Sequence, residues 1–185
     1  KWDLRPGLSF TAALFQLDRS NTRSTDPLTG NPLLTGASRV RGFEAALAGR
    51  LTPRWQASLG FARQTGSILS STLSGSTTIP AGRALPQLPK AQITGWTRYD
   101  LTRRFGLGLG LVHQSSQFAS ISNAVRLPGF TRLDASAYLD LSKAVSLQLN
   151  IENVTDARTY PSANSDNNIQ TGEPINARLT ARVKF

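Results

Sequence analysis

Among its 185 residues the chain has no cysteine, no methionine and a single histidine, and its 11 carboxylates are outnumbered by 21 basic side chains. Without cysteine there are no disulfides, thiolate metal sites or cysteine nucleophiles. The lack of methionine even at position 1, with a start KWDLRPG that has none of the regions of a signal peptide, reads as a processed or internal piece of a longer product. No run approaches the roughly 18 apolar residues of a membrane-spanning helix, which excludes a helical membrane protein. A membrane β-barrel survives that test, because alternating strands average out as polar and suit a mean hydropathy of -0.23.

A formal charge of +10 raises nucleic acid as a partner. The distribution argues against it. Arg5, Arg54, Arg103, Arg104 and Lys143 fall at expected turns, whereas Arg98, Arg132, Arg178, Arg182 and Lys184 alternate with apolar residues, and no basic helix or aromatic-basic cluster is present.

What is abundant is period-two alternation, the mark of a strand with one apolar face. Trp55, Ala57, Leu59 and Phe61 alternate with small or polar residues, and Phe105, Leu107, Leu109 and Leu111 alternate with Gly106, Gly108 and Gly110. Leu133, Ala135, Ala137, Leu139 and Leu141 oppose Arg132, Asp134, Ser136, Tyr138 and Asp140; Val145, Leu147, Leu149 and Ile151 oppose Ser146, Gln148, Asn150 and Glu152. Further strands are expected over 8–18, 39–51 and 91–101, and the last one in NARLTARVKF, for eight in all. In the first, the apolar phase slips around Ala13 and Phe15, which marks either a bulge or residues rising beyond an apolar zone.

The connections alternate in length. Arg5-Pro6-Gly7, Thr52-Pro53-Arg54, Thr102-Arg103-Arg104 and Ser142-Lys143-Ala144 are tight, whereas residues 21–38, 65–88, 115–127 and 155–174 are long, polar and rich in Ser, Thr, Asn, Gly and Pro. Short turns at one end and long loops at the other are the habit of transmembrane barrels, with the short turns periplasmic and the long loops extracellular. Trp2, Trp55, Tyr99 and Phe105 lie near the short turns, where an interfacial girdle belongs. The expected fold is therefore all-β: an antiparallel transmembrane β-barrel segment of about eight up-and-down strands.

With these residues laid out, the chain resembles the C-terminal barrel section of a TonB-dependent outer-membrane receptor of the ferric-siderophore type. LPGFTRLDASAYLDLSKAVSLQLNIENVTDARTY carries the likeness most strongly: a P-G-aromatic-T-R-x-D strand leads through a short turn to L-x-L-x-N-x-x-N-x-x-D-x-x-Y, matched by Leu147, Leu149, Asn150, Asn153, Asp156 and Tyr160. GEPINARLTARVKF resembles the closing strand of that family, SRVRGFEAALAGRLTPRWQASLGFA its G-x-E and following aromatic strands, and ALFQLDRSN another alternating strand. The resemblance implies that residues 1–185 form the last part of a 22-stranded barrel in the Gram-negative outer membrane. Its N-terminal plug and TonB box would lie outside this chain. It further implies a ferric siderophore or similar scarce chelate as transported ligand, with no bound cofactor and no catalysis. The implied partners are the TonB complex, outer-membrane lipid and lipopolysaccharide, and an assembly machinery that reads the terminal Phe185. A self-contained eight-stranded barrel with a structural or adhesive role is the alternative reading.

Several local patterns carry less than they suggest. GLGLGL lacks the spacing and following helix of a dinucleotide loop, so its glycines read as room in a barrel wall. Asp166, Asn168 and Gly172 miss the calcium-loop pattern, since Ala177 stands where the acidic twelfth ligand belongs. His113 has no serine and carboxylate at the spacing of a hydrolytic triad and is expected at the lumen edge or rim. Asn153-Val154-Thr155 fits a glycosylation pattern but is better read as a strand cap. Arg132, Asp134, Asp140 and Glu152 are expected to form a lumenal charge ladder that stiffens the wall. For ligand contact the candidates are the loop and upper-lumen residues Arg63, Arg83, Phe118 and Tyr160, because arginine and aromatics suit an anionic, aromatic-rich chelate.

Overall fold

Fifteen strands and no helix account for the regular structure among the described residues, which in this computed structural model are 1–25, 32–74 and 76–185. They are β1 (Trp2–Arg5), β2 (Leu8–Thr25), β3 (Pro32–Thr52), β4 (Trp55–Ile68), β5 (Thr72–Ser74), β6 (Thr77–Ile79), β7 (Ala91–Asp100) and β8 (Phe105–Gln114), followed by β9 (Gln117–Phe118), β10 (Arg126–Leu127), β11 (Phe130–Asp140), β12 (Val145–Glu152), β13 (Ser162–Ser165), β14 (Asn168–Gln170) and β15 (Asn176–Val183). Nine of them build one antiparallel sheet in the order β1-β2-β3-β4-β7-β8-β11-β12-β15. Each of these strands pairs with the next sheet strand in the chain. The remaining six form three small two-stranded sheets, β5-β6, β9-β10 and β13-β14, in the long loops at one end.

The registers align the alternation across the sheet. On one face Phe105, Leu107, Leu109 and Leu111 of β8 stand opposite Leu139, Ala137, Ala135 and Leu133 of β11, and Leu147, Leu149 and Ile151 of β12 stand opposite Ala181, Leu179 and Ala177 of β15. Trp55 pairs with Tyr99 at the tight-turn end of that face, where its indole N–H donates to Thr97 Oγ1 at 2.6 Å. Nearby Trp2 stacks on Phe10 with 5.6 Å between ring centroids.

Side-chain burial in this sheet departs from that of a soluble protein. Leu14, Leu109 and Leu179 are 89%, 63% and 68% exposed, and the only buried apolar cluster among the described residues, Ala119, Leu127 and Ala163, sits in the loops. A contiguous apolar face of this extent has to be covered by something other than water. An antiparallel sheet with one such face and one polar face is what a bilayer-spanning wall requires.

About eight strands were expected, and the sheet has those eight plus the short Trp2–Arg5, which pairs with β2. Two expectations from sequence are corrected. The connection expected over 21–38 is narrower, since β2 runs on to Thr25 and β3 starts at Pro32; β4 likewise continues to Ile68. Backbone pairing between β2 and β3 thus continues where the sequence shows no period-two alternation. The central part of that expected loop, residues 26–31, lies outside the described residues. Finally, no bulge occurs at Ala13 and Phe15, because β2 and β3 stay in register from Leu8 to Arg19. Leu8, Phe10, Ala12 and Leu14 share the apolar face with Leu47, Ala45 and Phe43, and the phase slip arises because Phe15 fits on the polar face over Gly42.

Gly49 shows how tightly the turn end is built. Its φ is 140°, and a β-carbon there would lie 2.0 Å from the Gly7 carbonyl oxygen, the same oxygen that accepts the Arg50 N–H at 2.8 Å. Gly49→Ala is expected to destabilise the folded barrel by about 1–3 kcal/mol through backbone displacement. A denaturant midpoint unchanged from the parent would refute this account of the turn.

Candidate functional site

On the polar face, β8 contributes no side chains where its neighbours contribute their largest. Gly106, Gly108 and Gly110 stand opposite Asp100, Arg98 and Trp96 of β7 and opposite Tyr138, Ser136 and Asp134 of β11. The Trp96 ring lies over the glycines, 2.7 Å from where a β-carbon of Gly108 would be and 2.9 Å from that of Gly110. Beside it the Arg98 guanidinium sits 4.1 Å from the Tyr138 ring centroid while its Nε donates to Asp100 Oδ1 at 2.8 Å. The room that the sequence assigned to these glycines is thus filled from the two flanking strands. Neither Trp96 nor Arg98 was singled out by sequence reasoning; the available signal was a glycine row predicted next to strands bearing large side chains.

The expected charge ladder divides into separate pieces. Arg132 donates from Nη2 to Asp134 Oδ2 at 3.0 Å within β11. Asp134 Oδ1 also accepts the backbone N–H of Asn153 at 2.9 Å. Asp140, at the far end of the strand, borders a cavity lined by Arg103, Arg104, Lys143 and Lys184, and Glu152 pairs in register with Asn176. Neither Asp140 nor Glu152 forms an ion pair among the described residues. Four residues on one polar face are therefore not one ladder: Asp140 lies six residues, about 20 Å, along β11 from Asp134, and Glu152 carries the same charge as Asp134, so only Arg132 and Asp134 join. Between these pieces Ser136 and Gln148 both donate to Asn150 Oδ1, at 2.6 and 2.8 Å.

At the loop end, Asn153 is 1% exposed and adopts φ 52°. Its Nδ2 donates to the carbonyls of Ala157 and Glu173, both at 3.0 Å, and its Oδ1 accepts the Ala157 N–H at 2.9 Å. Asp156, at φ 48°, accepts the Ile175 N–H at 3.0 Å. The N-x-x-D pattern is thus a clip that folds residues 155–174 back onto the top of β12 and β15, as the reading of Asn153 as a cap anticipated.

The loops are joined to one another. Gln87 Nε2 donates to Ala163 O at 2.5 Å, Gln117 Nε2 to Pro161 O at 2.9 Å, and Ser122 Oγ to Asp166 Oδ2 at 2.6 Å. Asn123 and Ala84 exchange two bonds of 3.0 Å.

Of the four candidate contact residues, Arg83, Phe118 and Tyr160 lie in the joined loops and Arg63 on the strand β4. Tyr160 packs against the Ala119, Leu127 and Ala163 cluster that holds two loops together. Phe118 is half-buried in β9, where its carbonyl accepts the Gln87 N–H at 2.9 Å. Arg83 is half-buried in the preceding loop, with its carbonyl accepting Ile68 N–H at 2.9 Å.

Arg63 requires a correction. It pairs with Phe43 and follows Phe61 by two residues, so it lies on the apolar side of the sheet and not on the polar one. His113, expected at the lumen edge or rim, is likewise on that side, at the rim and not on the lumenal face. It stands opposite Ile93 and Thr131, with Nδ1 2.9 Å from Thr131 Oγ1. The period-two phase of β4 and β8 was readable; what was missed is that polar residues on the apolar phase mark the upper limit of the apolar zone.

Just above that limit a polar group spans β2 and β3. Arg39 Nε donates to Asp18 Oδ1, Gln16 Nε2 to Asp18 Oδ2 at 2.6 Å, and Arg41 Nε to Gln16 Oε1 at 2.6 Å. The hydrogen bond from Arg39, followed by that from Gln16, holds the Asp18 carboxyl below its ordinary range.

Comparison with known proteins assigns this architecture. The family described as TonB dependent receptor-like, beta-barrel matches residues 1–154. The probable TonB-dependent siderophore receptor PiuA of Acinetobacter baumannii is 33% identical over the whole chain, and the catecholate siderophore receptor Fiu of Escherichia coli K12 is 30% identical over the whole chain. The crystal structure of the A. baumannii PiuA receptor superposes with a TM-score of 0.89 at 28% identity, covering 97% of this chain and 26% of that one. The closed form of E. coli Fiu gives 0.82 at 29%, covering 98% and 26%. The chain spans about a quarter of the length of these relatives, 26% of PiuA and 25% of Fiu. Its apolar face is therefore the lipid-facing side of an outer-membrane wall and its polar face the lumenal side. The chain belongs to the TonB-dependent receptor β-barrel family, as a section of the barrel.

Proposed function

We propose that this chain is part of the wall of an outer-membrane receptor that imports a ferric siderophore, with a catecholate-type chelate the first to test. The observation that carries the reading is the nine-stranded sheet with one lipid-facing and one lumenal face, joined to a likeness over the full chain to receptors named for siderophores. Import would be driven by TonB acting through a part of the receptor outside this chain, and the wall itself performs no chemistry. Its contribution is to close the backbone hydrogen bonds in hydrocarbon and to hold the loops in place above the lumen. Arg83 and Phe118, on loops tied to their neighbours, are the residues of the four candidates that this reading keeps for ligand contact. A self-contained eight-stranded barrel is not favoured: the sheet has nine strands, and its order runs open from β1 to β15.

Cells lacking the parent gene are expected to lose growth on at least one ferric catecholate under iron limitation and to regain it on complementation. Unchanged uptake of every chelate tried would overturn the transport reading.

A further inference from the structure

We propose that Arg39, Arg41 and Arg63 form a binding site for the phosphate of an outer-leaflet lipid, on the outside of the wall directly above its apolar belt. On three neighbouring strands the lipid-facing phase changes from apolar to cationic or polar at nearly one height: Leu14 to Gln16 on β2, Phe43 to Arg41 on β3 and Phe61 to Arg63 on β4. The registers link these positions, Arg41 standing opposite both Gln16 and Thr65, and Arg39 opposite Asp18 and Ser67. Arg63 is the diagonal neighbour of Arg41, about 7–8 Å away by sheet geometry, and Arg39 is two residues further along the same strand. Hydrocarbon ends where the apolar phase ends, so this row stands among the headgroups.

The chemistry selects an anion. Three guanidinium groups face a single carboxylate, Asp18, and like charges this close on adjacent strands oppose each other unless a counter-charge joins them. Arg39 and Arg41 are held through Nε, by Asp18 and Gln16 respectively. Among the described residues no protein acceptor engages their terminal amines or any nitrogen of Arg63. Fixed at Nε and open at the terminal nitrogens, the forks are preorganised for the paired acceptor oxygens of a phosphate. Immediately below, Phe43 and Phe61 lie 5.3 Å apart between centroids, offering an aromatic surface to the first part of an acyl chain. An ion from bulk solvent would use only the upper half of this arrangement; a phosphorylated lipid uses both.

The test uses the full-length receptor, purified in detergent, stripped of lipid and returned to vesicles containing lipid A or its dephosphorylated form, with retained lipid measured by mass spectrometry. The parent is expected to retain phosphorylated lipid A at least about tenfold over the dephosphorylated form, as one or two charge-assisted hydrogen bonds imply. R41Q/R63Q is expected to lose that preference, and R103Q/R104Q, at the opposite rim, to keep it. Heat-dependent gel mobility reports folding of each variant. Should the double variant fail to fold, R63Q alone decides the matter, because Arg63 has no side-chain hydrogen bond to lose among the described residues. Equal retention by parent and R63Q would overturn the proposal. So would displacement of the lipid by millimolar inorganic phosphate, which would assign the site to a free anion.

Discussion

Leu109→Arg is expected to destabilise the full receptor in its membrane by about 2–4 kcal/mol, although Leu109 is 63% exposed in the isolated wall. On a water-facing sheet, a surface substitution of this kind stays within about 0.5 kcal/mol. Leu109 lies near the middle of the lipid-facing stripe, between Leu107 and Leu111 on its own strand and between Thr97 and Ala135 across it. An arginine there must leave its charge in hydrocarbon or bend to an interface. Denaturant unfolding from liposomes, with Leu109→Ala as the size control, measures the difference. A penalty for arginine no larger than that for alanine would mean that this face does not meet lipid. The same logic separates the two faces of the wall, since Ser136, opposite Gly108 on the lumenal face, lies on the side where polar groups find one another.

Asn153→Ala is expected to lower stability by about 2–4 kcal/mol, because the truncation strands two carbonyls and one N–H that the amide now satisfies in a nearly sealed position. The left-handed backbone at Asn153 adds to the loss, since alanine tolerates it less well than asparagine. The damage should localise. Residues 155–174 should become sensitive to limited proteolysis before the strands separate, and the loop contacts made through Tyr160 and Gln117 should weaken with them. Asn153→Asp keeps the acceptor but loses the donors and places a second carboxylate next to Asp134, so it should be no better than alanine. Full protease resistance in Asn153→Ala would show that the clip is not what holds this loop.

These two sites also mark how far the sequence could be read. β11 and β12 were legible because charge and amide groups occupy one phase only, so the pattern declares which face meets lipid. β2 was not, because Ala13, Phe15 and Leu17 are apolar on the lumenal phase, opposite Glu44, Gly42 and Val40. A lumenal wall accepts apolar side chains wherever a neighbour leaves room, whereas a lipid-facing one does not accept charge. The asymmetry explains why, within the apolar belt, charged residues were reliable indicators of phase and apolar ones were not. Arg63 lies above that belt, where the lipid-facing phase accepts charge, so its residue type suggested ligand contact while its phase placed it outside the barrel.

The sequence by itself determined the class of the fold, the antiparallel order of the main strands, the end at which the long loops gather, and the strand cap at Asn153. Each depends on local features: a period of two, tight turns, and a motif within a few residues. Only the tertiary structure decided that Trp96 and Arg98 fill the space above three glycines, that the charge ladder is one Arg132–Asp134 pair with Asp140 and Glu152 apart from it, that the loops are stitched through Gln87, Gln117 and Asn123, and that three arginines from two strands converge above the lipid belt. Those outcomes depend on register, which sets who stands opposite whom. Register is fixed by turn geometry and by the match of apolar phases between neighbouring strands, and a strand read alone does not contain it.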